Sequence, residues 1–329
     1  MFPTTGAGMY LGIEIGGTKL QLGLGRGDGH IVALWRGTVN PAEGSAGIQK
    51  QIVAAVPELL AKANADRGLL RGVGIGFGGP TDDATRTVIK SHQICGWDGF
   101  PLADWVSDLV GVPAVLCNDA DVAGLAEALF GAGKGLSPIF YITIGTGVGG
   151  GLIIDGQIYR GVGRGAAEIG HISVILDAGD GEGNANVSLE IAASGWGIAN
   201  CARAALQQEW AAEWRSSLSG LPAGEITTVR IANEARGGDR FANWALRRAI
   251  WALAQAIRQT IVLLCPHRVV IGGGVSLIGE EMFFAPLREE LTRIAFPPFA
   301  GLTDIVPAAL GEEVVVHGAL ALARQKLGS

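Results

Sequence analysis

The sequence is short of charge. Lys, Arg, Asp and Glu make up 17% of its 329 residues, the net charge is −6, and no run of five or six like charges occurs. That balance leaves no electrostatic footprint for nucleic acid or for an anionic membrane surface. Cysteine is scarce: Cys95, Cys117, Cys201 and Cys265 are widely spaced, with no CxxC pair. This argues against a disulfide framework or a zinc site and predicts reduced core thiols in a cytoplasmic protein. No stretch serves as a membrane span. The most apolar one, IWALAQAIRQTIVLLC from Ile250, carries Arg258 and fits a buried helix better. The first residues, MFPTTGAG, lack the basic and apolar regions of a signal peptide. A Walker A loop is also missing, because the one GK, in GAGKGLS, is followed by glycine.

Glycine is what the chain has in excess. There are 52, roughly double the average share. They cluster at strand ends, in GIEIGG, GVGIGFGGP, GTGVGGG, GVGRG and GGGVS. Glycine there lets the backbone approach a ligand closely and expose its N–H groups. Five clusters suggest one large polar ligand wrapped by backbone, most simply a nucleotide.

Length alone favours about two domains. Residues 9–14, 19–25 and 30–38 read as strands joined by tight turns, and 46–66 as a helix with Ile48, Ile52, Val56, Leu59 and Leu60 on one face. A strand at Leu70–Phe77, a helix at Pro101–Leu109, a strand at Pro113–Cys117 and a helix at Ala120–Phe130 follow. Then the pattern restarts: Ile139–Ile144, Gly151–Ile154 and Gln157–Tyr159 read as strands, with DG as a hairpin signal. Helices are expected at about 188–214, 227–236 and 239–264, a strand at Arg268–Ile271, and helices at about 281–294 and 312–327. This is a weak internal duplication, with EIGGTK and ITIGTGVGG in matching places. The expected division is a smaller domain of residues 1–118 plus 313–329, and a larger one of 119–312.

Two stretches satisfy GxGxxG, at Gly74, Gly76 and Gly79 and at Gly145, Gly147 and Gly150. A dinucleotide fold requires a helix directly afterwards. PTDDATRT follows one and the hairpin GLIIDGQIY the other, so both fail. EIGGTK remains. A hairpin offering the N–H groups of Gly16, Gly17 and Thr18 can hold phosphate oxygens without a helix. Thr18 adds a hydroxyl and Lys19 a charge, and Glu14 could hold a Mg²⁺-bound water beside them. The plainer alternative is a glycine hairpin with a solvated lysine. The second hairpin, IGTGVGG, repeats the arrangement. Two such hairpins facing each other across a cleft resemble the actin, hexokinase and heat-shock ATPase superfamily.

Within that superfamily the chain resembles the ROK family (repressors, open reading frames and sugar kinases), nearly end to end. GIEIGGTK is similar to the family's first phosphate motif, which usually reads DIGGTK. GIGFGGP, with Gly79, resembles its sugar-side loop. QICGWDGFPL resembles NxxGW…PL, with Gln93 where asparagine is common. LCNDADVAGLAE resembles the catalytic VxNDxxxxAxxE stretch. GTGVGGGLIIDGQIYRGVGRGAAEIGHISV matches the long signature through ExGH, SLEIAASG a later segment, and GGGVS the adenosine-side motif.

The resemblance implies an α/β fold of two ribonuclease H-like (actin-like ATPase) domains around a central cleft that closes on the substrates. It implies ATP and Mg²⁺ as cofactors and a small-molecule hexose as substrate. No nucleic-acid or membrane partner is expected, and a homodimer or higher homo-oligomer is. The expected reaction is phosphorylation of a hexose hydroxyl, the 6-OH of glucose first. Fructose, mannose or an N-acetylhexosamine are the alternatives, as is a non-catalytic sugar-binding regulator. A repressor of the family would carry a DNA-binding domain before the first phosphate motif, where this sequence has only about a dozen residues.

The site follows from these matches. Asp119 is the general base that accepts the hydroxyl proton; alone it could equally be the N-cap of the helix after it. Asn118 can donate to and accept from a sugar hydroxyl. Gly16, Gly17, Thr18, Lys19, Gly145, Thr146 and Gly147 hold phosphates, and Gly272, Gly273 and Gly274 approach the adenosine. Glu168 and His171 lie three residues apart on one side of a turn and, with Glu190, contact sugar hydroxyls. Glu190 could instead be a first-turn glutamate behind a Ser188 cap. In most members the histidine joins three cysteines to bind zinc. Here LDAGDGEGNANVSLE has none, so no structural zinc is expected. Three carboxylates could suggest a glycosidase, but that leaves the phosphate hairpins unexplained. Glu14 in place of aspartate moves the carboxylate by about 1.5 Å but retains it.

Overall fold

The computed structural model describes residues 8–91, 93–177 and 184–328. Most of the MFPTTGAG stretch read for a leader, and residues 178–183 of the cysteine-free loop, lie outside them. The chain divides into two compact units. One comprises Met1–Tyr141, Gly151–Ala166 and Ala309–Ser329, the other Ile142–Gly150 and Ala167–Ala308.

The first unit opens with an antiparallel meander, β1 (Met9–Ile15), β2 (Lys19–Gly25) and β3 (Ile31–Thr38). The helix α1 (Gly44–Lys62) follows, then β4 (Leu70–Phe77), which pairs parallel to β1. A short hairpin of β5 (Thr81–Asp82) and β6 (Thr87–Val88) leads to α2 (Leu102–Val110), and β7 (Ala114–Asn118) pairs parallel to β4 before α3 (Asp119–Phe130) begins. The sheet order is β3-β2-β1-β4-β7. From their second residue β1 is buried throughout, and β4 is buried except at Arg71, as strands covered on both faces should be.

In the second half the hairpins β8 (Ile139–Ile144), β9 (Val148–Ile154) and β10 (Gln157–Ile158) come first. A small antiparallel pair follows, β11 (Ser173–Asp177) and β12 (Asn184–Ser188). Next come α4 (Leu189–Ala193), α5 (Gly195–Ala205), α6 (Glu209–Ala212), α7 (Thr228–Arg236) and α8 (Arg240–Leu264). Then β13 (Arg268–Gly272), α9 (Ala285–Ile294) and β14 (Asp304–Pro307) complete a sheet of order β10-β9-β8-β13-β14. Both sheets thus set an antiparallel meander beside strands from crossovers, in the same order. The duplicated α/β architecture expected from the hairpins is present.

Several expectations are corrected. The single helix over 188–214 is three helices. It breaks at Ser194, whose backbone is extended (ψ 161°) and whose hydroxyl accepts the Gly197 N–H at 2.9 Å. The division of the chain also falls elsewhere than at residue 118, because α3 belongs with the first unit. A last helix, Val314–Leu327, packs on β1, β4 and α3. A Cβ on Gly74 would strike the Ala319 carbonyl, and one on Gly318 the Val122 carbonyl. These glycines permit close helix packing, so the clusters do not all serve a ligand. Of the four cysteines, Cys117 is buried, Cys201 and Cys265 are partly covered and Cys95 is exposed. Among the described residues no helix is long and apolar enough to cross a membrane.

Candidate active site

In the first unit the apolar runs MYLGIEI and KLQLGLG pair as β1 and β2, and the residues between them must turn. Gly16 closes the turn by donating its N–H to the Lys19 carbonyl at 3.0 Å. That N–H is therefore engaged within the turn itself. The Gly17 and Thr18 N–H groups have no partner among the described residues. A Cβ on Gly17 would fall on the Gln93 side-chain amide, so Gln93 lies against this turn.

Glu14, on β1, is 5% exposed. Its Oε1 sits 2.9 Å from Lys19 Nζ, which also donates to the Glu312 carbonyl at 3.1 Å. The Lys19 charge is thus largely answered from within the fold. Glu14 Oε2 is buried with no hydrogen-bond partner. Burial lifts the Glu14 carboxyl from its ordinary 4.5 to about 7; Lys19 opposes the rise, while the nearby Asp119 and Glu312 add to it. A buried, unsatisfied carboxylate oxygen beside two vacant N–H donors suits a hydrated Mg²⁺ and its phosphates, since Mg²⁺ keeps most of its waters.

At the end of β7, Asn118 caps α3. Its Oδ1 accepts from Ala120 N at 2.8 Å and from Asp121 N at 3.4 Å, and its Nδ2 donates to the Gly79 carbonyl at 3.1 Å. Asparagine is therefore the cap, not the aspartate after it. Asp119 is the first helical residue. Its Oδ1 accepts from Ala120 N at 2.8 Å. Its other oxygen would lie 3.4 Å from a Cβ on Gly78, whose N–H donates to the Ile15 carbonyl at 2.8 Å. The carboxylate, the Gly78–Gly79 loop and the base of the first hairpin are thus brought together within one unit.

The second hairpin repeats the first. Gly145 donates its N–H to the Gly147 carbonyl at 2.9 Å, again closing the turn. Thr146 and Gly147 offer N–H groups without a partner among the described residues. Glu190 is held here, its Oε2 accepting from Val148 N at 3.0 Å. Ser188 caps α4 as the alternative reading held, accepting from Ile191 N at 3.4 Å. Glu190 thus braces the hairpin through its Oε2. Glu168 and His171 bound a 3₁₀ turn, in which side chains three apart eclipse. Both are exposed, with no side-chain partner among the described residues. Gly170 between them packs on the Val148 carbonyl, where a Cβ would clash. Of the adenosine-side glycines, Gly272 is buried at the end of β13, while Gly273 and Gly274 are exposed. Gly273 has φ +86° and its α-carbon abuts the Ile144 backbone, so only glycine fits.

Sequence reasoning gave no role to Glu127, the last residue of the VxNDxxxxAxxE match. It is 0% exposed. Its Oε1 accepts from Ala309 N and Leu310 N at 2.9 Å, and its Oε2 from Ala132 N at 2.7 Å. It ties α3 to the segment preceding the last helix. Its place in the motif was the available signal.

The absence of cysteine from residues 176–188 predicts that purified protein carries no stoichiometric zinc. Elemental analysis finding about one zinc per chain after mild chelation would contradict this.

The sequence profile of the ROK family matches residues 10–326. A glucokinase of Halalkalibacterium halodurans is 32% identical over 97% of this chain and 96% of its own. The crystal structure of a ROK hexokinase from Thermus thermophilus superposes with a TM-score of 0.80 at 25% identity, over 97% of this chain and 99% of that one. A ROK family glucokinase from Streptomyces griseus, solved with glucose and AMPPNP, gives 0.75 at 32% identity, over 97% and 100%.

Proposed function

The chain belongs to the ROK family, and from that premise we propose that it is an ATP-dependent kinase for a hexose hydroxyl, the 6-hydroxyl of glucose first. The observation that carries this reading is the end-to-end likeness to a glucokinase solved with glucose and an ATP analogue.

The residues are suited to the reaction. A hydroxyl attacking a γ-phosphoryl group loses its proton as the new P–O bond forms, and Asp119 is the acceptor for it. Asn118 fixes the start of α3 and so the direction of the Asp119 carboxylate. The vacant N–H groups of Gly17 and Thr18, and those of Thr146 and Gly147, donate to phosphate oxygens, whose negative charge grows at the leaving group. Glu14 would hold Mg²⁺ through a bound water, and that ion would neutralise phosphate charge. Glu168, His171 and the remaining oxygen of Glu190 pair with sugar hydroxyls. Gly273 and Gly274 leave room for the adenosine.

ADP release coupled to a reporter enzyme, run over glucose, mannose, fructose and N-acetylglucosamine, tests the reading. Hexose-dependent ADP release is expected, with glucose giving the highest kcat/KM. No turnover on any sugar would refute it and favour the non-catalytic regulator.

Glu168→Gln and Glu190→Gln should raise the hexose KM more than they lower kcat, because a carboxylate accepting from sugar hydroxyls binds ground and transition states alike. Losing a charged acceptor costs about 1.5–3 kcal/mol, or roughly one to two decades in KM. In Glu190→Gln the amide oxygen can still accept from Val148 N, so the hairpin should survive. Normal sugar binding by calorimetry alongside lost turnover would show these roles to be misassigned.

A further inference from the structure

Arg160 follows β10 and falls inside the long signature, yet nothing above gives it work. Its side chain is 13% exposed, and the carboxylate it pairs with, Asp121, is 2% exposed. The contacts reach three residues in two segments of the first unit. Nη1 donates to Asp121 Oδ2 at 2.6 Å, in the first turn of α3. Nη2 and Nε fork onto Asp83 at 2.8 and 3.1 Å. Nη2 also lies 3.3 Å from the Thr81 carbonyl and 3.4 Å from its hydroxyl. Only a planar guanidinium can make this set at once, because its donors diverge in one fixed plane.

The geometry points to Arg160 as a positioning residue for Asp119. The two segments it joins are the ones whose spacing sets where the Asp119 carboxylate sits. One is the loop from Gly78 to Asp83, whose Gly78 faces that carboxylate. The other is the helical turn holding Asp119 and Asp121. The Asn118–Gly79 hydrogen bond is the first tie between them, and Arg160 is the second, on the far side of the loop. The inner end of the loop is held by Asn118 and by the Gly78–Ile15 hydrogen bond. Arg160 adds a hold on its outer end, Thr81 to Asp83, directly against the helical turn that carries Asp119. The inference rests on the kinase reading, since a base must be held close to a substrate hydroxyl to act on it.

Removing the guanidinium outright would leave Asp121 buried without its cation, which is strongly destabilising. Two gentler variants avoid this. Arg160→Lys keeps a cation for Asp121 but loses the fork. Asp83→Asn keeps the Arg160–Asp121 pair and weakens the grip on the loop from its outer side. Each is measured alone and combined with Asp119→Asn, with wild type alongside. We expect each variant, at unchanged far-UV circular dichroism, to lower kcat roughly tenfold with the ATP KM little changed, because the first hairpin is outside the clamp. We expect almost no further loss in the Asp119→Asn background, where there is no base left to misplace. An equal fractional loss in both backgrounds would reduce Arg160 to a general structural part and overturn the inference. So would full turnover in both variants beside an active wild type; in these cases the kinase reading stands. A wild type with no hexose-dependent ADP release would remove the reaction itself, and the positioning role with it.

Discussion

Asp119→Asn is expected to lower kcat by about 10²–10⁴, the range for loss of a general base, with sugar and ATP KM values moving less than about tenfold. Asparagine has the same size and can still accept from Ala120 N and meet the attacking hydroxyl. It cannot take the proton. The structure makes this a clean substitution, because the helix cap it might have disturbed belongs to Asn118, whose Oδ1 receives the Ala120 and Asp121 N–H groups. The melting temperature should therefore hold. Three measurements on one protein decide the matter: kcat, sugar affinity and Tm. Retained turnover would end the catalytic assignment. Lost turnover with intact folding and sugar binding would support it.

Glu14→Gln is expected to separate stability from function. In the folded chain Glu14 titrates near 7 instead of 4.5, because burial disfavours its charged form more than Lys19 favours it. Between those values the folded state holds a proton that the unfolded state has released. Stability from this group is therefore fully present below about pH 4.5 and falls as pH rises to about 7. The loss is on the order of 3 kcal/mol at pH 8. Glutamine has no charge to desolvate, so its stability relative to wild type should improve steadily from pH 5 to pH 8, read by urea unfolding at each pH in the absence of metal and nucleotide. A pH-independent difference would rule out Glu14 as the titrating group. Activity should move the other way, falling roughly 10–100-fold, the usual cost of removing a group that holds a metal-bound water. The carboxylate would then be a burden on the fold, kept for its function.

What could be read in advance follows a physical pattern. The two hairpins were legible because EIGGTK and IGTGVGG interrupt apolar runs with residues that can only turn. Asp119 and Asn118 were legible through their motif, but not which of them caps the helix, since both residue types cap well. The glycines were half legible. A glycine that lets a ligand approach and one that lets a helix approach, such as Gly74 beneath Ala319, look the same in a sequence. The closing role of the first glycine in each hairpin turn was not legible either: a turn needs a closing N–H, and Gly16 and Gly145 supply it. The break at Ser194 escaped notice because its flanks, LEIAA and GWGIANCARAA, both carry helical spacing. Arg160 was invisible for another reason. Its partners Asp83 and Asp121 stand 77 and 39 residues earlier in the chain, and nothing local announces them.

The placement of the last helix bears on how the protein is made. The sheet of β1, β2, β3, β4 and β7 is complete once residue 118 has been synthesised, yet the helix that packs against β1 and β4 spans Val314–Leu327. Every residue of the other unit has been made by Ala308. Domains generally fold in the order in which they leave the ribosome, but the cover of this first sheet is encoded after the whole of the other unit. Until residues 314–327 have been made, the glycine-lined backs of β1 and β4 have no helix to pack against and are open to water or to a chaperone.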